Sequence, residues 1–171
     1  MVSKKRTTDE LSINSEVEHV ESSLLDLAAE EIESYVGFTT VPDGEYTLRL
    51  RDLKVRYTKK GRPALQASFD VAVDDPDLNP SIVNEFINLP YQGCPSNTRR
   101  MFNDRLASFR LSFDIPAEEM VEAIQLAFSS FEDGDEVIYI TDFNGSMGSA
   151  LLVTEPSSEY GDRNIIKSFI F

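Results

Sequence analysis

Across residues 45–57 apolar side chains recur at every second position but change phase midway. Tyr46, Leu48 and Leu50 are even-numbered, whereas Leu53, Val55 and Tyr57 are odd-numbered. A two-residue period belongs to a strand with one buried face, because successive side chains of extended backbone point to opposite sides. A one-residue slip would turn the buried set outward unless an extra residue is inserted, so a β-bulge is predicted at Arg51 and Asp52. Long, bent first strands suit small barrels, where one strand serves both sides of the closure.

The remaining pattern fills in around that strand. Pro42-Asp43-Gly44 is a turn before it and Lys59-Lys60-Gly61-Arg62-Pro63 a turn after it. Leu65, Ala67, Phe69, Val71 and Val73 alternate as strand two, and residues 82–89 make strand three. The intervening Asp74-Asp75-Pro76-Asp77-Leu78-Asn79-Pro80 is too rich in Pro and Asp for regular structure, and it lacks the Gly and terminal Glu of a calcium loop. Ser96 or Asn97 is expected to cap a helix with the stripe Phe102, Leu106, Phe109 and Phe113. A second helix has Pro116 in its first turn and a core stripe of Met120, Val121, Ile124, Ala127 and Phe128. Strands return at 137–141, 150–154 and 164–171, separated by the turn signals Asn144-Gly145 and 157–162. Three strands, a helical insertion and then further strands match the OB-type order. The expected fold is therefore mainly β: a five-stranded OB-type Greek-key barrel with a helical insertion between strands three and four.

Residues 1–21 are polar and aperiodic. Leu24, Leu25, Leu27, Ala28, Ile32, Tyr35 and Val36 then recur at helical spacing after Ser22 and Ser23, predicting a disordered tip and an acidic amphipathic N-terminal helix. The expected domains are 1–37 for this arm and 38–171 for the barrel.

Several function classes are disfavoured. A nucleophilic triad needs a His, and the one His, His19, sits in the polar arm, which disfavours Ser-His and Cys-His hydrolysis; phosphate-cradling Gly patterns are missing as well. Cys94 has no second Cys for a disulfide and no ligand set for zinc. The chain is thus expected to be a binding protein, not an enzyme, with no metal or cofactor. No stretch reaches the ~20 apolar residues of a membrane span and residues 1–9 lack the apolar run of a signal peptide, which makes a cytoplasmic protein without a membrane partner the expectation.

The net charge of −14 argues against unspecific binding to duplex DNA, since an unpatterned acidic surface repels phosphate. The charge is patterned, however. Residues 1–37 hold three bases against nine acids, a net −6, whereas residues 49–62 hold seven bases against the single acid Asp52, a net +6. Arg49, Arg51, Lys54 and Arg56 lie along the first strand with Tyr57 as an adjacent stacking platform, and Lys59, Lys60 and Arg62 project from the first hairpin tip. Cations spaced along a backbone, together with aromatic faces for the bases, are what sequence-tolerant single-strand binding needs. Arg99, Arg100 and Arg105 form a second basic patch on the insertion helix, whose N-terminus adds its positive end. The competing readings are a basic strand edge that discourages sheet-to-sheet pairing, an adaptor working through residues 24–36, and a metal-dependent nuclease.

Three runs carry a resemblance: Val41-Pro42-Asp43-Gly44-Glu45-Tyr46, then Lys59-Lys60-Gly61-Arg62-Pro63, and near the end Glu159-Tyr160-Gly161-Asp162-Arg163-Asn164-Ile165-Ile166-Lys167-Ser168-Phe169. Over residues 41–171 the chain resembles bacteriophage-encoded single-stranded DNA-binding proteins. The resemblance implies an OB fold, a place in phage DNA replication or recombination within the host cytoplasm, and coating of unpaired strands without sequence preference. It also points to the Lys59-Lys60-Gly61-Arg62 hairpin and to Tyr160, Arg163 and Lys167. Many single-strand binders recruit replication enzymes through a flexible acidic C-terminal tail, whereas this chain carries its acids at the front. Either residues 1–37 take over the contact with phage or host replication proteins or such recruitment is lacking, and self-association stays open.

Overall fold

The chain divides into two units, Met1–Gly37 and Phe38–Phe171. A computed structural model describes residues 39–78, 81–157 and 161–171, all within the second unit, so the expected acidic helix lies outside the described residues. The elements are β1 (Gly44–Tyr57), β2 (Pro63–Val71), β3 (Ser81–Asn88), α1 (Ser96–Ser112), α2 (Ala117–Ser129), β4 (Val137–Ile140), β5 (Met147–Glu155) and β6 (Arg163–Ile170). Pro76–Leu78 adds a single 3-10 turn.

The strands form one antiparallel sheet in the order β3-β2-β1-β5-β6, with β4 paired to β1 off that path. β1 organises it. Its pairing with β2 shifts register between Leu50 and Asp52, at the position of the phase change. On its other side the partner also changes there: Gly44 to Arg49 pair with β5, and Leu53 to Arg56 pair with β4. The handover is made by the turn ahead of β5, where Gly145 N–H donates to Leu50 O at 2.7 Å and Leu50 N–H to Ser146 O at 2.8 Å. Gly145 has φ +89°, a left-handed conformation that glycine adopts without strain. The bulge thus lets one strand keep its apolar side inward while serving two different neighbours.

Two expectations about the fold are corrected. Six strands enter the sheet instead of five: each of the six segments read as a strand forms one, and 137–140, which the five-stranded plan leaves no place for, pairs with the second half of β1. The sheet is also not a closed barrel: β3 and β6 run close together, but no ladder joins them. A side chain occupies that seam. Arg105 of α1 donates to Glu85 Oε1 of β3 at 2.7 Å and to the Ile166 and Lys167 carbonyls of β6 at 2.9 and 3.4 Å. Its guanidinium also lies 4.8 Å from the Phe169 ring centre. The β6 carbonyls are satisfied by this fork, which answers the requirement that backbone acceptors find partners where a sheet edge is covered.

The core lies between the inner sheet face and the helices. Phe69, Phe109, Phe113 and Phe169 pack there with ring centres 5.2 to 6.3 Å apart, amid Leu48, Leu53, Leu65, Ile87 and Leu152. Gly148 of β5 faces this cluster, and a Cβ there would lie 2.6 Å from the Phe113 ring. The helix starts differ from expectation. Pro95 and Pro116, with extended backbone, stand at the two N-cap positions, and neither cap makes a side-chain hydrogen bond. Val121 is exposed, not part of the α2 core stripe, which is Met120, Ile124 and Ala127. No helix among the described residues is long and apolar enough to cross a membrane.

Candidate nucleic-acid interface

The cations of β1 divide at the bulge. Before it, Arg49 pairs with Asp70 at 2.9 Å, and Arg51 lies 3.8 Å from Asp70 and 3.7 Å from Asp52. These two arginines therefore present a locally neutral cluster. After the bulge the situation changes. Lys54, Arg56, Lys59, Lys60 and Arg62 have no carboxylate within 4.0 Å among the described residues.

The hairpin that carries them is tightly built. Thr58 N–H donates to Arg62 O and Gly61 N–H to Thr58 O, both at 2.8 Å, and the Arg62 N–H reaches Thr58 Oγ1 at 3.1 Å. Gly61 takes φ +72°, and Lys59 and Lys60 stand exposed at the tip. Arg62 turns back over the Tyr91 ring, its guanidinium 4.7 Å from the ring centre. Arg99, in the first turn of α1, donates to the Tyr91 carbonyl at 3.3 Å. Tyr91 thus joins the hairpin tip to the helix start, and Arg99 also has no carboxylate within 4.0 Å among the described residues. Six uncompensated cations, Lys54, Arg56, Lys59, Lys60, Arg62 and Arg99, gather at one end of the sheet.

Other expected site residues fall elsewhere. Arg100 sits 3.7 Å from Asp104, and Arg105 is the seam clamp paired to Glu85. Arg163 is held by Glu155 at 2.8 Å, where β5 and β6 meet beyond the Gly44 end of β1 and far from the hairpin tip. Lys167 is exposed on β6, where the register with β5 shifts. Tyr160 lies outside the described residues. Tyr57 is only in part a platform, because its ring packs against Phe128 and Phe131 with both centres 5.2 Å away, anchoring the root of the hairpin to α2.

Register exposes two aromatic residues that the sequence reading did not select. On the outward face Phe86, Gln66, Lys54 and Tyr139 lie side by side across β3, β2, β1 and β4. Phe86 is 46% and Tyr139 56% exposed, and the Lys54 ammonium sits 5.6 Å from the Tyr139 ring centre. With strands about 4.8 Å apart, the two rings are separated by roughly 14 Å. The alternation of Asn84, Phe86 and Asn88 carried the signal for Phe86. Nothing local distinguished Tyr139 from its buried neighbours, since its exposure follows from β4 pairing with the Lys54 half of β1. Arg56 Nε and Gln66 Oε1, on the same face, are buried with no hydrogen-bond partner among the described residues. No protein-family model matches this chain, and a search of the curated proteins returns no significant match.

Proposed function

We propose that the unit Phe38–Phe171 is an OB-type domain that binds single-stranded DNA at the hairpin end of its sheet, coating unpaired strands without sequence preference during phage replication or recombination. The observation that carries the reading is the sorting of charge. In a chain of net −14, six of the eight cations that lack carboxylate partners among the described residues cluster around the β1–β2 tip and the start of α1, beside an outward face bearing Lys54 and Tyr139, while the other two, Arg110 and Lys167, lie elsewhere. A basic track for phosphates next to exposed rings is the arrangement a sequence-tolerant single-strand binder uses. The order β3-β2-β1-β5-β6, with helices after the third strand and a long bulged first strand, agrees with an OB-type plan to which β4 has been added. Buried polar groups are commonly completed by solvent or ligand, and Arg56 Nε and Gln66 Oε1 fit a face that is covered in use. Single-strand binding rests on this layout, whereas the phage setting rests on the motif resemblance alone.

The test is a fluorescent oligo-dT titration at several salt concentrations. Six cations engaging phosphates at about 0.7 ion each give a slope of about −4 for log affinity against log salt. A duplex of equal length is expected to bind more weakly, because its rigid, paired bases cannot reach the rings. A flat salt dependence, or a preference for duplex, refutes the reading.

A further inference from the structure

We infer that the groove between α1 and the outer edge of β3 receives unpaired nucleobases, so that the strand is held by its bases there and by its phosphates at the hairpin tip; the inference rests on the single-strand reading above. The groove has a volume of about 490 Å³, within the roughly 300–1,000 Å³ of small-ligand clefts. Its walls are apolar where they matter. Phe86 comes from the strand, Met101 (66% exposed) and Phe102 from the helix, and Asn88 of the strand also lines it.

The charges in the groove are internally compensated: Glu85 pairs with Arg105 at 2.7 Å and Asp104 with Arg100 at 3.7 Å. A phosphate therefore gains nothing by entering, since it would meet two carboxylates whose cations are already engaged. A base loses no charge solvation on entry and gains ring-on-ring contact with Phe86. The groove's lining also adjoins, along the chain, the residues that hold the free cations. Asn88 is three residues from Tyr91, the residue that carries the Arg62 guanidinium on its ring and the Arg99 bond on its carbonyl, and Met101 lies two residues past Arg99. A strand whose phosphates rest on Arg62 and Arg99 thus has its bases directed between Phe86 and Met101. An apolar helix from a protein partner is the other occupant such a groove could hold, and the experiment separates the two.

The chain contains no Trp, so a Phe86→Trp variant of the full chain carries one fluorescent reporter at the groove. It is titrated with oligo-dT and with an abasic oligomer of equal length and phosphate count, and binding is followed in parallel by anisotropy of a label on the oligomer. The expected result is quenching by oligo-dT but not by the abasic strand, which binds about tenfold more weakly, as loss of stacking on one ring implies. Phe86→Ala and, separately, Met101→Ala, both at exposed positions, are expected to bring oligo-dT affinity to the abasic level while leaving the salt slope unchanged. Equal affinity for the two oligomers without quenching overturns the base groove and leaves the single-strand reading standing, with the groove free for a peptide. Absence of binding to both oligomers at low salt overturns the single-strand reading itself.

Discussion

Whether an arginine contacts phosphate should depend on whether a carboxylate already holds it, and this division can be tested by charge-matched variants. Neutralising the tip with Lys59→Gln, Lys60→Gln and Arg62→Gln removes three of the six uncompensated cations at the hairpin end of the sheet. At about 0.7 ion per phosphate contact the salt slope falls from about −4 to about −2, and the affinity at 0.1 M salt falls by about a hundredfold. Over a fourfold rise in salt the wild type then loses about 300-fold in affinity and the variant about 20-fold. The comparison is a pair of double variants that delete a cation together with its own carboxylate: Arg49→Gln with Asp70→Asn, and Arg163→Gln with Glu155→Gln. Arg49 and Arg163 sit 2.9 and 2.8 Å from those carboxylates, so phosphate meets a neutral pair there and the double variants keep both slope and affinity. Fluorescence anisotropy with labelled oligo-dT at four or five salt concentrations reads the wild type and the three variants. If the paired-site variants flatten the slope as much as the tip variant does, carboxylate pairing does not decide which cations engage the strand and the reasoning fails.

Two predictions concern the scaffold. Arg105→Met leaves Glu85, whose side chain is only 12% exposed, without its cation and frees two β6 carbonyls, so urea denaturation should report a loss of about 2 kcal/mol, partly restored by adding Glu85→Gln; an unchanged midpoint would remove Arg105 as the seam clamp. Gly148→Ala places a methyl group 2.6 Å from the Phe113 ring inside the four-phenylalanine cluster, and overpacking of this kind costs about 1–3 kcal/mol, visible as a lowered Tm by several degrees; an unaltered melt would show that Phe113 is free to move.

The strands were legible wherever one face is buried and the other wet. Leu65 to Val71 and the phase slip near Arg51 are local patterns, and local patterns follow from the two-residue period alone. What they did not contain is pairing. The number of strands in the sheet depends on 137–140 finding the second half of β1, a contact between residues more than eighty positions apart. The seam between β3 and β6 is likewise bridged by one helical arginine, a contact between residues twenty and more than sixty positions apart. The candidate site shows the same division. A basic run is visible in sequence, but Asp70 opposite Arg49 and Glu155 beside Arg163 are cross-strand partners that appear only once register is known. Helix caps misled for a different reason: Ser96 and Asn97 suit an N-cap, yet Pro95 takes that place because its fixed φ and missing N–H suit the residue that enters a helix.

Because β1 has neighbours on both sides for most of its length, its amides are the ones a native-state exchange experiment should find last to open, while the outer strands fray first. The cation-bearing tip is thus mounted on a strand that is paired on both sides near its end, with the Tyr57 ring wedged at its root. Ligand arriving there meets charges already near their working positions, and little ordering cost is left for the moment of capture.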